Sequence, residues 1–214
     1  AGKIFQCGFS VFAFSFLAVF IVNIPKYAID RCLNQSIQTY YGILMMPVLV
    51  INMLSVVVYR SMINSLSVAY NNNDNKTFIS IIAKQILLIV VLTIIAIFGG
   101  YIIGLKLLGI IYSVDLSNYM LPFVILILGG GLNTMAGFFM VVLTVQRSQN
   151  QLLLGYIITL IISLLISTTL VSKFEITGAA LLYNISSGIM AIIFLFLICF
   201  NLKKWGKSKH GKNQ

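Results

Sequence analysis

The chain has 214 residues, of which 60% are hydrophobic and only 8% charged, and its mean hydropathy is +1.04. A soluble domain carries about 25% charged residues, so this composition cannot cover a water-facing surface, and lipid is the expected solvent. The net charge of +10 lies mostly between and after the apolar runs, which points to membrane topology rather than to nucleic-acid binding.

The apolar runs are continuous rather than alternating, which argues against a membrane β-barrel. Most reach the roughly 20 residues that a helix needs to cross a bilayer. The expected fold is therefore all-α, a polytopic membrane protein with six spans at about 4–24, 39–59, 78–104, 119–145, 152–171 and 177–201, followed by a basic tail over 203–214. The first run ends in Asn-Ile-Pro-Lys rather than in a small-residue cleavage site, so no signal peptide is expected. The first residue is Ala1, not Met, and a span follows almost at once, which suggests a cut chain.

Taken in order, Asn23, Pro25 and Lys26 close the first span, and Asp30 and Arg31 follow on a short polar connector. Lys26 and Asp30 are four apart, a spacing that brings them to one face, within pairing reach, if the segment is helical. Pro47 lies inside the second span, where it removes a backbone hydrogen bond and predicts a kink, with Asn52 five residues on. The segment 60–70 carries Met62, Ile63, Leu66 and Ala69 at helical spacing, the pattern of a helix lying on the membrane surface. Lys84 sits about one and a half turns into the third span, within snorkelling reach of the surface. The piece 105–111 is apolar but too short to span, and is expected to rest in the interface or re-enter. Gly129, Gly130 and Gly131, then Asn133, lie deep in the fourth span, where glycines let helices approach closely.

Lys and Arg in the connectors set orientation. One side, with both termini, holds nine of them and one acid, Asp74; the other holds Lys26, Arg31, Lys106 and Lys173 with three acids. Both termini are expected to be cytoplasmic. No Asp or Glu lies deep in any span and the only histidine is His210, so neither a catalytic constellation nor a metal site can be assembled, and no cofactor is implied. The three cysteines show no pairing or metal spacing.

The stretches NIPKYAID (23–30), YYGILMMPVLVIN (40–52), AYN (69–71), LLGIIYSVDLS (107–117), LGGGLN (128–133) and LTVQRSQ (143–149), in this order and spacing, resemble the second half of bacterial polysaccharide repeat-unit flippases. These belong to the multidrug/oligosaccharidyl-lipid/polysaccharide exporter superfamily. The resemblance implies one six-helix lobe of a twelve-helix transporter in the cytoplasmic membrane. Such a protein moves undecaprenyl-pyrophosphate-linked oligosaccharide by alternating access, for surface polysaccharide synthesis beside the polymerase machinery. The N-terminal lobe is absent here, so a missing lobe or a second copy would have to supply the opposing wall. The pyrophosphate would need positive charge, for which Lys26, Arg31, Arg60 and Lys84 are the candidates. Tyr41, Asn52 and Asn133 are the candidates for sugar contacts. A multidrug exporter of the same superfamily, a membrane polymerase and a non-transporting scaffold are the competing readings; short connectors count against a polymerase.

Overall fold

The computed structural model describes the backbone of residues 2–210 and the side chains of residues 12–56, 59 and 62–203. The expectations for Cys7, for the Arg60 side chain and for the basic tail beyond Lys203 fall outside the described side chains.

Among the described residues the architecture is all-helical. The helices are α1 (Gly2–Cys32), α2 (Gln35–Leu44), α3 (Met46–Asn71), α4 (Asn75–Gly99), α5 (Leu105–Tyr112), α6 (Met120–Val145) and α7 (Gln149–His210). One π-helical turn, Gly100–Gly104, joins α4 to α5, and one 3-10 turn, Ser117–Tyr119, leads into α6. Among the described residues, five stretches are long and apolar enough to cross a membrane: Phe12–Cys32, Gln35–Val56, Asn75–Tyr112, Ser117–Val145 and Gln149–Lys203.

α7 is one helix in name only. Glu175 breaks it with φ 48° and ψ −126°, and the two arms on either side fold against each other. The hydroxyls of Ser163 and Ser186 lie 2.7 Å apart across the arms, and Phe194 packs where a β-carbon on Gly155 would stand. Both pairs straddle Glu175 almost symmetrically, so the arms are antiparallel.

The reversals use common chemistry. After α3, Asp74 N–H donates to the Ala69 carbonyl and Asn73 N–H to that of Tyr70, with Asn73 at φ 56°. After α6, Ser148 N–H donates to Leu143 and Arg147 N–H to Thr144, with Arg147 at φ 56°. Both are Schellman ends, which satisfy the last carbonyls of a helix through one left-handed residue. The Asp74 side chain then caps α4, accepting from Thr77 N–H at 3.1 Å. In the connector before α6, Asp115 accepts the Ser117 N–H at 3.0 Å, which holds its carboxyl below the ordinary aspartate range.

Four sequence expectations change. α1 does not stop near Ile24 but runs about two turns further to Cys32, through Pro25, so Lys26 lies inside the helix rather than at its close, and Asp30 and Arg31 lie on a helix and not on a connector. Ala28 and Ile29, both buried, supply the packing that holds it helical. The span 39–59 is not a single kinked helix: α2 ends at Leu44, and Pro47 sits in the first turn of α3, where a missing N–H leaves no bond unmade. α3 continues unbroken to Asn71, so 60–70 prolongs a long helix rather than forming a separate one. The piece 105–111 likewise continues the axis of α4 through the π turn as α5.

α6 is the central helix, with α3, α4 and α7 packed around it. The three glycines show how. Successive residues on a helix point about 100° apart, so Gly129, Gly130 and Gly131 face three different neighbours. A β-carbon on Gly129 would stand 2.7 Å from the Tyr183 ring of α7, and one on Gly130 the same distance from Val48 of α3. One on Gly131 would overlap Thr93 of α4. At this level three helices press on α6 at once, and only a residue without a side chain admits them all.

Candidate functional site

A cleft of about 300 Å³ opens between α1 and α6, with Tyr156 of the first arm of α7 and Met190 of the second behind it. Val19, Val22 and Asn23 of α1 line one wall, Asn133, Gly137 and Met140 of α6 the other, and Tyr156 lies on α7. Its depth follows from the pairing of helices. Phe14 stacks on Tyr156 with ring centroids 6.2 Å apart, so α1 runs alongside the first arm of α7. Asn133 stands at the centre of α6 (Met120–Val145). The cleft therefore carries two carboxamides well inside helices long enough to cross a membrane.

Those amides are not fully used. Asn23 donates to the Val19 carbonyl at 2.8 Å, which leaves its oxygen open. Asn133 has no hydrogen-bond partner among the described residues. The Tyr156 hydroxyl is turned to the Met140 sulfur at 3.3 Å, a weak acceptor. Lys26 is half-buried and sits three residues beyond Asn23 on α1, a spacing that puts neighbours on one side of a helix. It lies about 9 Å short of the helix end at Cys32, taking 1.5 Å per residue. The cleft thus presents amide groups in its middle, and one ammonium follows beyond its lining on the same side of α1.

Behind it lies a buried polar cluster. Thr134, next to Asn133, donates to the Asn52 side-chain oxygen at 2.5 Å and ties α6 to α3. The Tyr183 hydroxyl of α7 lies beside Asn52 and Ser187 without a well-formed hydrogen bond. Tyr41 of α2 lies beside Tyr183, is fully buried, and its hydroxyl also lacks a partner.

The structure brings some expected residues together and separates others. Asn133 lines the cleft, Lys26 borders it, and Asn52 and Tyr41 belong to the cluster behind. Arg31 is exposed at the end of α1, where it charges the rim. Lys84 is exposed on α4, off the buried face of Phe78, Ile82, Gln85, Ile89 and Thr93, and α4 does not reach the cleft; its position suits a snorkelling side chain. Sequence reasoning passed over Asn23 and Tyr156. Asn23 carried a signal, an amide in an apolar run, but its nearness to Pro25 made it look like a terminus. Tyr156 is identified by packing alone. Among the described residues no group of three His, Cys, Asp or Glu could hold a metal ion.

Comparison of the chain with protein-family models, with curated proteins and with solved structures finds no match.

Proposed function

We propose that this chain forms one lobe of a membrane transporter that flips a lipid-linked oligosaccharide, and that the α1–α6 cleft is its half of the substrate cavity. The observation that carries this is the pair Asn23 and Asn133, with unspent hydrogen-bonding capacity in an open cleft at mid-depth. An unsatisfied amide facing hydrocarbon costs several kcal/mol, so polar side chains at membrane depth face a bundle interior or a water-filled cavity. Carboxamides are suited to sugar hydroxyls because they both donate and accept. Lys26 and the exposed Arg31 offer the charge a pyrophosphate needs, from a position nearer the membrane surface. The resemblance of 23–30, 40–52 and 128–133 to repeat-unit flippases supports the same substrate class.

In this reading the chain crosses the cytoplasmic membrane six times: α1, α2 with α3, α4 with α5, α6, and each arm of α7. The excess of Lys and Arg places both termini in the cytoplasm. A second six-helix body, another lobe or another copy, faces the cleft and completes the cavity.

The test is export of surface polysaccharide in cells that depend on this protein. Asn23→Leu and Asn133→Leu together are expected to abolish export while the protein still reaches the membrane in normal amount, and Lys26→Ala is expected to weaken it. Unchanged export in the double variant would remove the cleft from the transport path.

A further inference from the structure

α6 carries a second cleft, more apolar than the first. Residues 133, 137 and 140 of α6 line the α1 side, whereas 128, 131, 132 and 135 line a cleft of about 290 Å³ against α4, with Asn184 of α7 beside them. At 100° per residue these two sets fall on opposite sides of the helix. On the α4 wall stand Ile89, Thr93 and Ile97. Of its two polar side chains, Thr93 spends its hydroxyl hydrogen on the Ile89 carbonyl at 2.7 Å, and Asn184 spends one amide N–H on the Ile125 carbonyl at 3.1 Å and keeps its second N–H and its oxygen. An occupant therefore meets apolar side chains along most of the α4 and α6 walls, with the part-used Asn184 amide at one side, a lining that suits a hydrocarbon chain. The adjoining α4 surface, Ile95 and Phe98, is exposed and apolar, so the cleft is open to the lipid.

Its height selects the kind of chain. From Ile89 to Ile97 the α4 wall rises about 12 Å, and residues 128–135 bracket the centre of α6. The cleft thus straddles the level where the two leaflets meet. With a hydrocarbon core about 30 Å thick, a phospholipid chain anchored at either surface ends near that level. A chain that fills the cleft must run on past it.

We propose that the α4–α6 cleft seats the polyprenyl chain of the lipid carrier, a hydrocarbon longer than one leaflet. This rests on the flippase reading above and adds a place for the carrier's tail, on the face of α6 away from the head group. Leu132 and Ile94 form opposite walls of the seat, and Gly131 against Thr93 forms its floor.

The experiment uses the full chain in phospholipid nanodiscs with undecaprenyl phosphate that bears a photoactivatable group on its chain. Adducts are expected in peptides covering 89–97 and 128–135. Unlabelled undecaprenyl phosphate should compete them away, and farnesyl phosphate or added phospholipid should not. Leu132→Trp and Ile94→Trp, one filling the cleft from each wall, should each lose most of the adduct. Adducts spread evenly onto outward residues such as Leu165 and Ile192 would overturn the proposal, as would equal competition by the short chain or adducts that survive both tryptophans. The assay involves neither sugar nor transport. A negative result here, with export impaired in the Asn23 and Asn133 variants, removes the chain seat alone; normal export in those variants removes the α1–α6 cleft from the transport path whatever the adducts show.

Discussion

Polar side chains inside this molecule fall into three states, and each state has a different consequence. Ser163 with Ser186 and Thr134 with Asn52 are paired between helices, bonds that contribute about 0.6 kcal/mol each in membrane proteins. Asn133 is unpaired but open, which is a binding capacity. Gln85 is unpaired and closed: it is fully buried on the packed face of α4, and both amide atoms lack a partner among the described residues. A buried amide left without partners costs about 1–3 kcal/mol, and the side chain lines neither cleft. Gln85→Met keeps the length and removes the cost. It is expected to raise the thermal midpoint of the detergent-solubilised protein and to leave export unchanged. A fall in the midpoint would mean that the amide is bonded in the folded protein after all.

At the scale of elements the hairpin of α7 offers the sharpest case. Glu175 adopts φ 48° and ψ −126°, close to the first central position of a type II′ turn, which glycine favours because a β-carbon clashes there. The side chain is exposed, so little is lost by removing it. Glu175→Gly is expected to stabilise the protein by about 1 kcal/mol, and Glu175→Pro, which fixes φ near −65°, to prevent the two arms from closing. The paired variants, compared by thermal unfolding, separate a backbone effect from loss of the carboxylate, because both remove the charge. This reversal was legible in the sequence as the polar break Ser172-Lys173 and Glu175 between two apolar runs, since a span has a length limit that the chain must obey. The end of α1 was not legible. Pro25 and Lys26 read as the close of the first span and Asp30 and Arg31 as a connector, and what keeps them all helical is the burial of Ala28 and Ile29 against other helices, a tertiary fact. The joint at Met45 lay between these extremes: Pro47 announced a disturbance but not that a separate helix would begin there. For the site, Asn133 stood out as an amide in a long apolar run, whereas Asn23 was hidden by its misread neighbourhood.

For the whole molecule the question is what covers each face of α6. Leu132 and Asn133 are consecutive, yet Leu132 lines the cleft against α4 and Asn133 the cleft against α1. If the assembled transporter encloses water on one side and lipid on the other, the boundary between them passes between these two residues. A cysteine thiol reports this directly, because the thiolate that reacts with maleimides forms readily in water and poorly in apolar surroundings. With Cys7, Cys32 and Cys199 replaced by Ser, Asn133→Cys is expected to react with a charged, membrane-impermeant maleimide in intact membranes. Leu132→Cys is expected to resist it and to react only with a lipophilic reagent. The two variants differ by one position and share the same helix, depth and expression background, so differential folding cannot mimic the contrast. Equal resistance of both would mean that no water reaches position 133 and would remove the water-filled cavity on which the transport reading depends. Protection of Asn133→Cys by added lipid-linked oligosaccharide, with Leu132→Cys unaffected, would identify the cleft as the place where the head group sits.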